Sequence, residues 1–171
     1  VKCGVPICDF TAGLYAAYAI AARVAAIRAG ASGGTIDVPM FAATLAVSAL
    51  QTSEYFGTGR NPVKLGSAHP RNSPYQAYQA GDGWFAIAAG NNRLWQQVCA
   101  VVGTPELLAD PRYNSPTLRA RHQRELKNAL DPHFARLPLA HWLQAFAAAG
   151  VPCAPINGYA EALADPQTQH L

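Results

Sequence analysis

Apolar positions crowd the first third of the chain, then give way to shorter runs spaced for strands and half-buried helices. Residues 10–29 predict a helix, with Asp9 or Thr11 placed to cap its start and Gly30 just past its end. Residues 31–34 predict a turn, and residues 35–38 ("TIDV") a short strand stopped by Pro39. Residues 40–56 predict a second helix. It is apolar nearly all round, so burial on several sides is expected. The loop over residues 57–74 is long for a connection inside one compact domain, and a domain boundary is expected within it. The division expected is residues 1–60 and residues 61–171.

Beyond the loop the pattern changes period. Residues 75–90 predict a hairpin whose turn holds Gly81, Asp82 and Gly83. Asn91 stands as the cap of a helix over residues 92–102 that Gly103 closes. A short helix and a proline-directed turn follow over residues 104–113. Ser115 caps and Pro116 opens a longer helical stretch, whose alternating charges mark an exposed face. Pro132 falls inside that stretch and predicts a kink or restart. Residues 138–149 predict another helix, 151–156 an extended piece, and 159–166 a last helical turn.

Charged residues are only 13% of the 171, against about a quarter in ordinary soluble domains. Part of the surface is therefore expected to be covered by further chain, another domain or another subunit. The formal net charge of +3 suits anionic small molecules. It is too weak, with no basic run among aromatics, to indicate nucleic acid. The apolar stretch 13–29 is broken by Arg23 and Arg28 and is short for a membrane span. No signal peptide is recognisable. Cys3, Cys8, Cys99 and Cys153 show neither C-x-x-C nor Cys/His spacing, which argues against a metal site and for reduced thiols in the cytoplasm. The opening at Val1 and the close at "DPQTQHL" read as the interior of a longer protein.

Two places offer chemistry. Asp9 sits where a loop becomes a long helix. One reading is a cap, whose oxygen accepts backbone N–H bonds. The other uses the same geometry: a helix start keeps a carboxylate ionised and oriented, fit to act as a nucleophile. Ala12 and Gly13 beside it are small enough to let a bulky ligand approach. The second place is the loop "LGSAHPRNSPY". Gly66 and Ser67 offer backbone N–H groups there, and His69 and Arg71 offer charge or hydrogen bonds, as an anion or oxyanion site needs. A surface linker with a chance histidine is the plainer alternative. His122, His133, His141 and His170 read as surface residues. Trp84, Trp95, Trp142 and Phe146 read as core anchors. No G-x-S-x-G occurs, and no serine or cysteine nucleophile scheme finds support.

Several phrases, in order along almost the whole chain, resemble the middle portion of class III CoA-transferases, the family of formyl-CoA transferase and carnitine CoA-transferase. "CDFTAGLYAAYAIAARVAA" is similar to the family's segment around its aspartate nucleophile. "GGTIDVPMFAATLA" is similar to the phrase that follows, with Gly34 where a glutamine is common. "LGSAHPRNSPYQAYQAGDGWFAIAAGNNRLWQQVC" carries the most specific match. "LLADPRYNSPTLRARHQREL" and "AAGVPCAPINGYAEALADPQ" continue it.

The resemblance implies an α/β fold: part of a Rossmann-like large domain, then a smaller α/β domain, in a homodimer of two interlocked chains. It implies Asp9 as the nucleophile, and substrate-binding by the loop at Gly66, Ser67, Ala68 and His69, although this loop has fewer glycines than that of formyl-CoA transferase. It implies coenzyme A as an acyl-CoA substrate, a carboxylic acid acceptor and no metal. The activity implied is acyl-CoA:carboxylate CoA transfer through an aspartyl-CoA thioester, with this chain alone expected to be inactive. Two alternatives stay open: a 2-methylacyl-CoA racemase of the same superfamily, and a non-catalytic folded fragment.

Overall fold

The computed structural model describes residues 4–171. The chain divides into two compact units, Val1–Lys64 and Leu65–Leu171.

The first unit is helical among its described residues. Helix α1 spans Ile7–Arg28, α2 Met40–Val47 and α3 Ala49–Thr58. α1 begins at Ile7, ahead of the expected start. Pro6 is its N-cap residue, with no side-chain cap. The proline ring holds φ at −74° and leaves Pro6 O free to accept from Phe10 N–H at 3.2 Å, so the helix starts without a polar cap. Neither Asp9 nor Thr11 is therefore the cap. Thr11 is buried, and its Oγ1 donates to Ile7 O at 2.6 Å.

Residues 35–38 form no strand. A strand needs a hydrogen-bonded neighbour, and among the described residues this unit supplies only helices. α2 and α3 replace the single expected helix and break at Ser48, whose φ of −89° and ψ of 23° leave the helical range. The expected burial is not met either, since Phe41 is 77% exposed and Phe56 84%. At 22 residues α1 is long and apolar enough to cross a membrane by length and composition, so the shortness argued from sequence does not hold. A Cβ at Gly34 would lie 2.6 Å from the Arg23 guanidinium, the movable end of a flexible side chain.

The second unit holds the sheet and the core. β1 (Tyr75–Gln79) and β2 (Trp84–Ala88) form the expected hairpin, and β3 (Cys153–Pro155) pairs antiparallel with β2, giving the order β1-β2-β3. Helices α4 (Asn92–Val102), α5 (Pro105–Ala109), α6 (Pro116–Arg121), α7 (Gln123–Phe134) and α8 (Leu139–Ala148) lie between β2 and β3 in the chain. α9 (Tyr159–Ala164) and α10 (Pro166–His170) close it. The caps read from sequence are present. Asn91 Oδ1 accepts from Leu94 N–H at 2.8 Å, Ser115 Oγ from Leu118 N–H at 3.3 Å, and Gly103 ends α4 at φ 74°.

Helical spacing puts Leu126, Leu130 and Phe134 on one buried face of α7, and Trp142 and Phe146 on one face of α8. They meet Tyr78 and Phe85, which pair across β1 and β2. Phe134 is the hub. Its ring lies edge-on to Tyr78, Phe85 and Trp142 at 4.9, 5.2 and 5.1 Å. Trp142 Nε1 donates to Phe134 O at 2.9 Å, satisfying a carbonyl that the helix end leaves free. Of the four expected aromatic anchors, Trp84 is the exception, at 45% exposed. It is the first residue of β2 and leads the strand out of the turn. Pro132 causes no restart: it lies in the last turn of α7, where one lost bond is tolerated, and the break falls at His122.

Cys99 is buried in this core, and desolvation pushes its thiol up to about 12. Cys153 is shifted upward for the same reason. A thiol held so far above neutrality supplies almost no thiolate. Cys99 is therefore expected to resist iodoacetamide at pH 8 until the protein is unfolded, as peptide mass spectrometry can follow.

Candidate active site

Asp9 lies in the first turn of α1, third in the helix after Ile7 and Cys8. Ile7 N–H bonds to Val5 O at 2.8 Å and Phe10 N–H to Pro6 O at 3.2 Å; the first amides of a helix have no acceptor within it. A carboxylate here lies in the positive end of the helix dipole. Asp9 is exposed, and among the described residues of its unit it has no hydrogen-bond or ion-pair partner. The approach is open as well, since a Cβ at Gly13 would meet nothing within 4 Å. The position differs from that read in the sequence: Asp9 stands inside the first turn, not at the cap. An open cavity of about 300 Å³ lies farther along α1, lined by Tyr15, Tyr18, Asp37 and Pro39 among others.

Gly66, Ser67, Ala68 and His69 belong to the second unit, and the structure brings them together over β1. Gly66 takes φ +64°, with nothing within 4 Å of where a Cβ would stand. Ala68 N–H donates to Leu65 O at 3.1 Å, closing a tight turn. Ser67 Oγ accepts from Ala77 N–H at 3.1 Å. His69 N–H donates to Tyr75 O at 2.9 Å, and its ring stacks on Tyr75 with centroids 5.0 Å apart. His69 Nδ1 accepts from the N–H groups of Arg71 and Asn72, both at 3.1 Å. With Nδ1 an acceptor, the neutral ring carries its proton on Nε2, which remains a donor. The loop is thus folded onto the sheet.

Sequence reasoning missed three residues of this arrangement. Tyr75 read only as the start of a strand, and Asn92 only as a helix residue. Arg119 read as part of an exposed charged face, yet it is fully buried. Nothing in "TLRARHQREL" distinguishes it from Arg121 or Arg124. Among the described residues no group of three or more His, Cys, Asp or Glu is placed to hold a metal.

A helical unit followed by a unit of three antiparallel strands and helices defines an α/β protein. The profile of CoA-transferase family III matches residues 1–171, and the chain belongs to that family. It is 36% identical over 165 residues to an acetyl-CoA:oxalate CoA-transferase of Acetobacter aceti, covering 96% of this chain and 42% of that protein. It is 34% identical over 170 residues to a succinate–glutarate CoA-transferase of Agrobacterium fabrum, covering 99% of this chain and again 42% of the relative. A CAIB/BAIF family protein from Brucella suis matches in structure with a TM-score of 0.78 at 33% identity, covering 99% of this chain and 45% of that one. The chain therefore spans less than half the length of the relatives it matches.

Proposed function

We propose that the protein containing this chain transfers coenzyme A between an acyl-CoA and a carboxylate, with Asp9 as the nucleophile. The observation that carries the reading is the exposed carboxylate of Asp9 in the first turn of α1, without a side-chain partner among the described residues of its unit, in a chain of this family. A carboxylate oxygen of Asp9 attacks the thioester carbonyl. The C–S bond breaks, leaving a mixed anhydride and CoA thiolate. The thiolate attacks the aspartyl carbonyl and expels the donor's carboxylate, so Asp9 now carries CoA as a thioester. An acceptor carboxylate attacks that thioester, and the freed thiolate takes the acceptor's acyl group from the second anhydride. Asp9 is regenerated. The acyl-CoA thioester consumed is replaced by the acyl-CoA thioester formed, so no ATP is consumed. Each attack passes through a tetrahedral oxyanion that needs preorganised donors. The loop at Gly66, Ser67, Ala68 and His69 is assigned to substrate binding; the N–H groups of Ala68 and His69 are spent on Leu65 O and Tyr75 O, which leaves the N–H groups of Gly66 and Ser67 and His69 Nε2–H as its donors.

The relatives named for oxalate and glutarate make a small dicarboxylate the acceptor of choice. The exposed apolar residues of the first unit favour a homodimer in which they are covered, as interlocked chains would do. Free thiols at Cys8, Cys99 and Cys153 favour a reducing cytoplasm.

The test is intact-protein mass spectrometry of the full-length protein quenched during turnover. A CoA adduct that maps to the Asp9 peptide and is released by hydroxylamine is expected. Turnover without an adduct, together with exchange of the substrate's α-hydrogen into D₂O, would identify a racemase instead.

Gly66 provides a further test. Its positive φ strains any residue with a Cβ, by about 1–2 kcal/mol, while the space around it is open. Gly66→Val is expected to lower turnover at least about tenfold with a modest fall in Tm, because the new side chain occupies the approach to the loop's N–H groups. Steady-state kinetics beside a thermal melt separates the two effects. Unchanged turnover would return the loop to the role of a linker.

A further inference from the structure

Arg119 is fully buried on α6 and has no carboxylate partner among the described residues. Its donors go to uncharged acceptors in three separate segments. Nε donates to Ser73 O at 2.9 Å, Nη1 to Tyr113 O at 2.9 Å, and Nη1 and Nη2 both to Asn92 Oδ1 at 3.1 Å. The guanidinium also lies 5.7 Å from the Trp95 ring centre. Burying a charge is expensive, and an apolar side chain of similar volume often serves stability as well. What an apolar residue cannot do is fix several carbonyl groups at once, as the planar guanidinium does.

Ser73 is where the loop joins β1. Its neighbour Pro74 accepts at O from Ala89 N–H at 2.8 Å. On the other side Asn72 lies against Gly90, where a Cβ would come within 3.0 Å of the Asn72 side chain. Residues 72–74 are thus held from α6 and from Ala89 and Gly90, just past β2. The turn over residues 69–72 is built directly on them, since Asn72 N–H donates to His69 Nδ1. The path from the guanidinium to the His69 ring runs through Ser73 and Asn72, with no flexible side chain between them.

We propose that Arg119 is a positioning residue for acyl transfer, holding the loop that carries Gly66, Ser67 and His69 in its working shape. The proposal rests on the function proposed above. Its variants are Arg119→Lys, which keeps the charge and loses the fork, and Arg119→Gln, both in the full-length protein. Leu126→Ala, in the same unit and equally buried, is the control for stability alone. Hydrogen exchange is followed at the amides of Arg71, Asn72 and Ala77, alongside kcat and KM for the acyl-CoA.

Arg119→Lys is expected to speed exchange at those amides at least about tenfold and to lower kcat about tenfold or more, as a displaced catalytic loop does. Leu126→Ala is expected to lower Tm without this local change and to keep kcat within about twofold. Should both Arg119 variants fail to fold, Asn92→Ala removes one acceptor, leaves the guanidinium in place and should show the same pattern more weakly. Unchanged kcat in a folded Arg119→Lys protein overturns the proposal. So does a kcat loss in Leu126→Ala that matches it at equal Tm. If Asp9→Asn abolishes transfer while Arg119→Lys stays active, only the role of Arg119 falls. If Asp9→Asn retains transfer, the site itself is wrong, and the role of Arg119 falls with it.

Discussion

Asp9→Asn in the full-length protein is expected to lose CoA transfer by about 10⁴-fold or more, with the fold unchanged. Removing a covalent nucleophile leaves only the rate supplied by binding and oxyanion stabilisation, and losses of that order follow when one member of a concerted site is deleted. The structural cost is small. Asp9 is exposed and makes no side-chain bond among the described residues of its unit, so Asn forfeits only the charge–dipole attraction at the helix start, about 0.3–1 kcal/mol. Asp9→Ala should match it in activity, which guards against slow deamidation of the new Asn back to Asp. Rates are to be measured by acyl-CoA chromatography and folding by circular dichroism. An Asp9→Asn protein within about tenfold of the parent rate would remove the carboxylate from the mechanism.

The largest effect on stability is expected at Phe134. It is fully buried, and its ring touches Tyr78, Phe85, Trp142 and Phe146. Truncation to Ala removes the ring by which α7 packs against α8 and the hairpin. The cost expected is about 3–5 kcal/mol, a large part of the stability of a domain this size. Val101→Ala, a partly buried position packed against the same core, should cost much less. Urea unfolding monitored by tryptophan fluorescence measures both. A loss below about 1 kcal/mol for Phe134→Ala would mean that the core closes without it.

How much the sequence reveals differs between the two units, and the reason is physical. In the second unit local chemistry and tertiary packing agree. Asn91, Ser115 and Gly103 cap helices whose apolar spacing faces a core made within the same stretch of chain. The hairpin and its turn were legible because Gly81, Asp82 and Gly83 are turn-forming residues between two strand-forming runs, and the same residues also meet distant demands. A Cβ at Gly81 would press within 3.2 Å of Ala135 O, and Asp82 Oδ1 accepts from Leu139 N–H at 2.6 Å. In the first unit, apolarity predicted burial, but Met40, Phe41 and Phe56 are exposed in this stretch of chain. Residues 35–38 have β-forming character without a strand beside them. In α1 the place of Asp9 near a helix start was legible by residue type, whereas the start at Ile7 was obscured because Pro6 replaces the polar cap that the pattern seeks. Arg119 was not legible, because burial of one arginine among several is decided by distant partners at Ser73 and Asn92.

The hydrogen bonds from the loop to β1 have a second consequence, for solubility. β1 is an outer strand of the sheet, and its Ala77 N–H and Tyr75 C=O point away from β2. A row of such groups left bare is a template for strand addition by another molecule. Ser67 Oγ and His69 N–H occupy both positions. The opposite edge is guarded differently: β3 is short and ends in Pro155, which has no N–H to offer. A substitution that loosens the loop, chosen to test catalysis, would therefore also uncover a sticky edge, and self-association during expression would be its first visible sign.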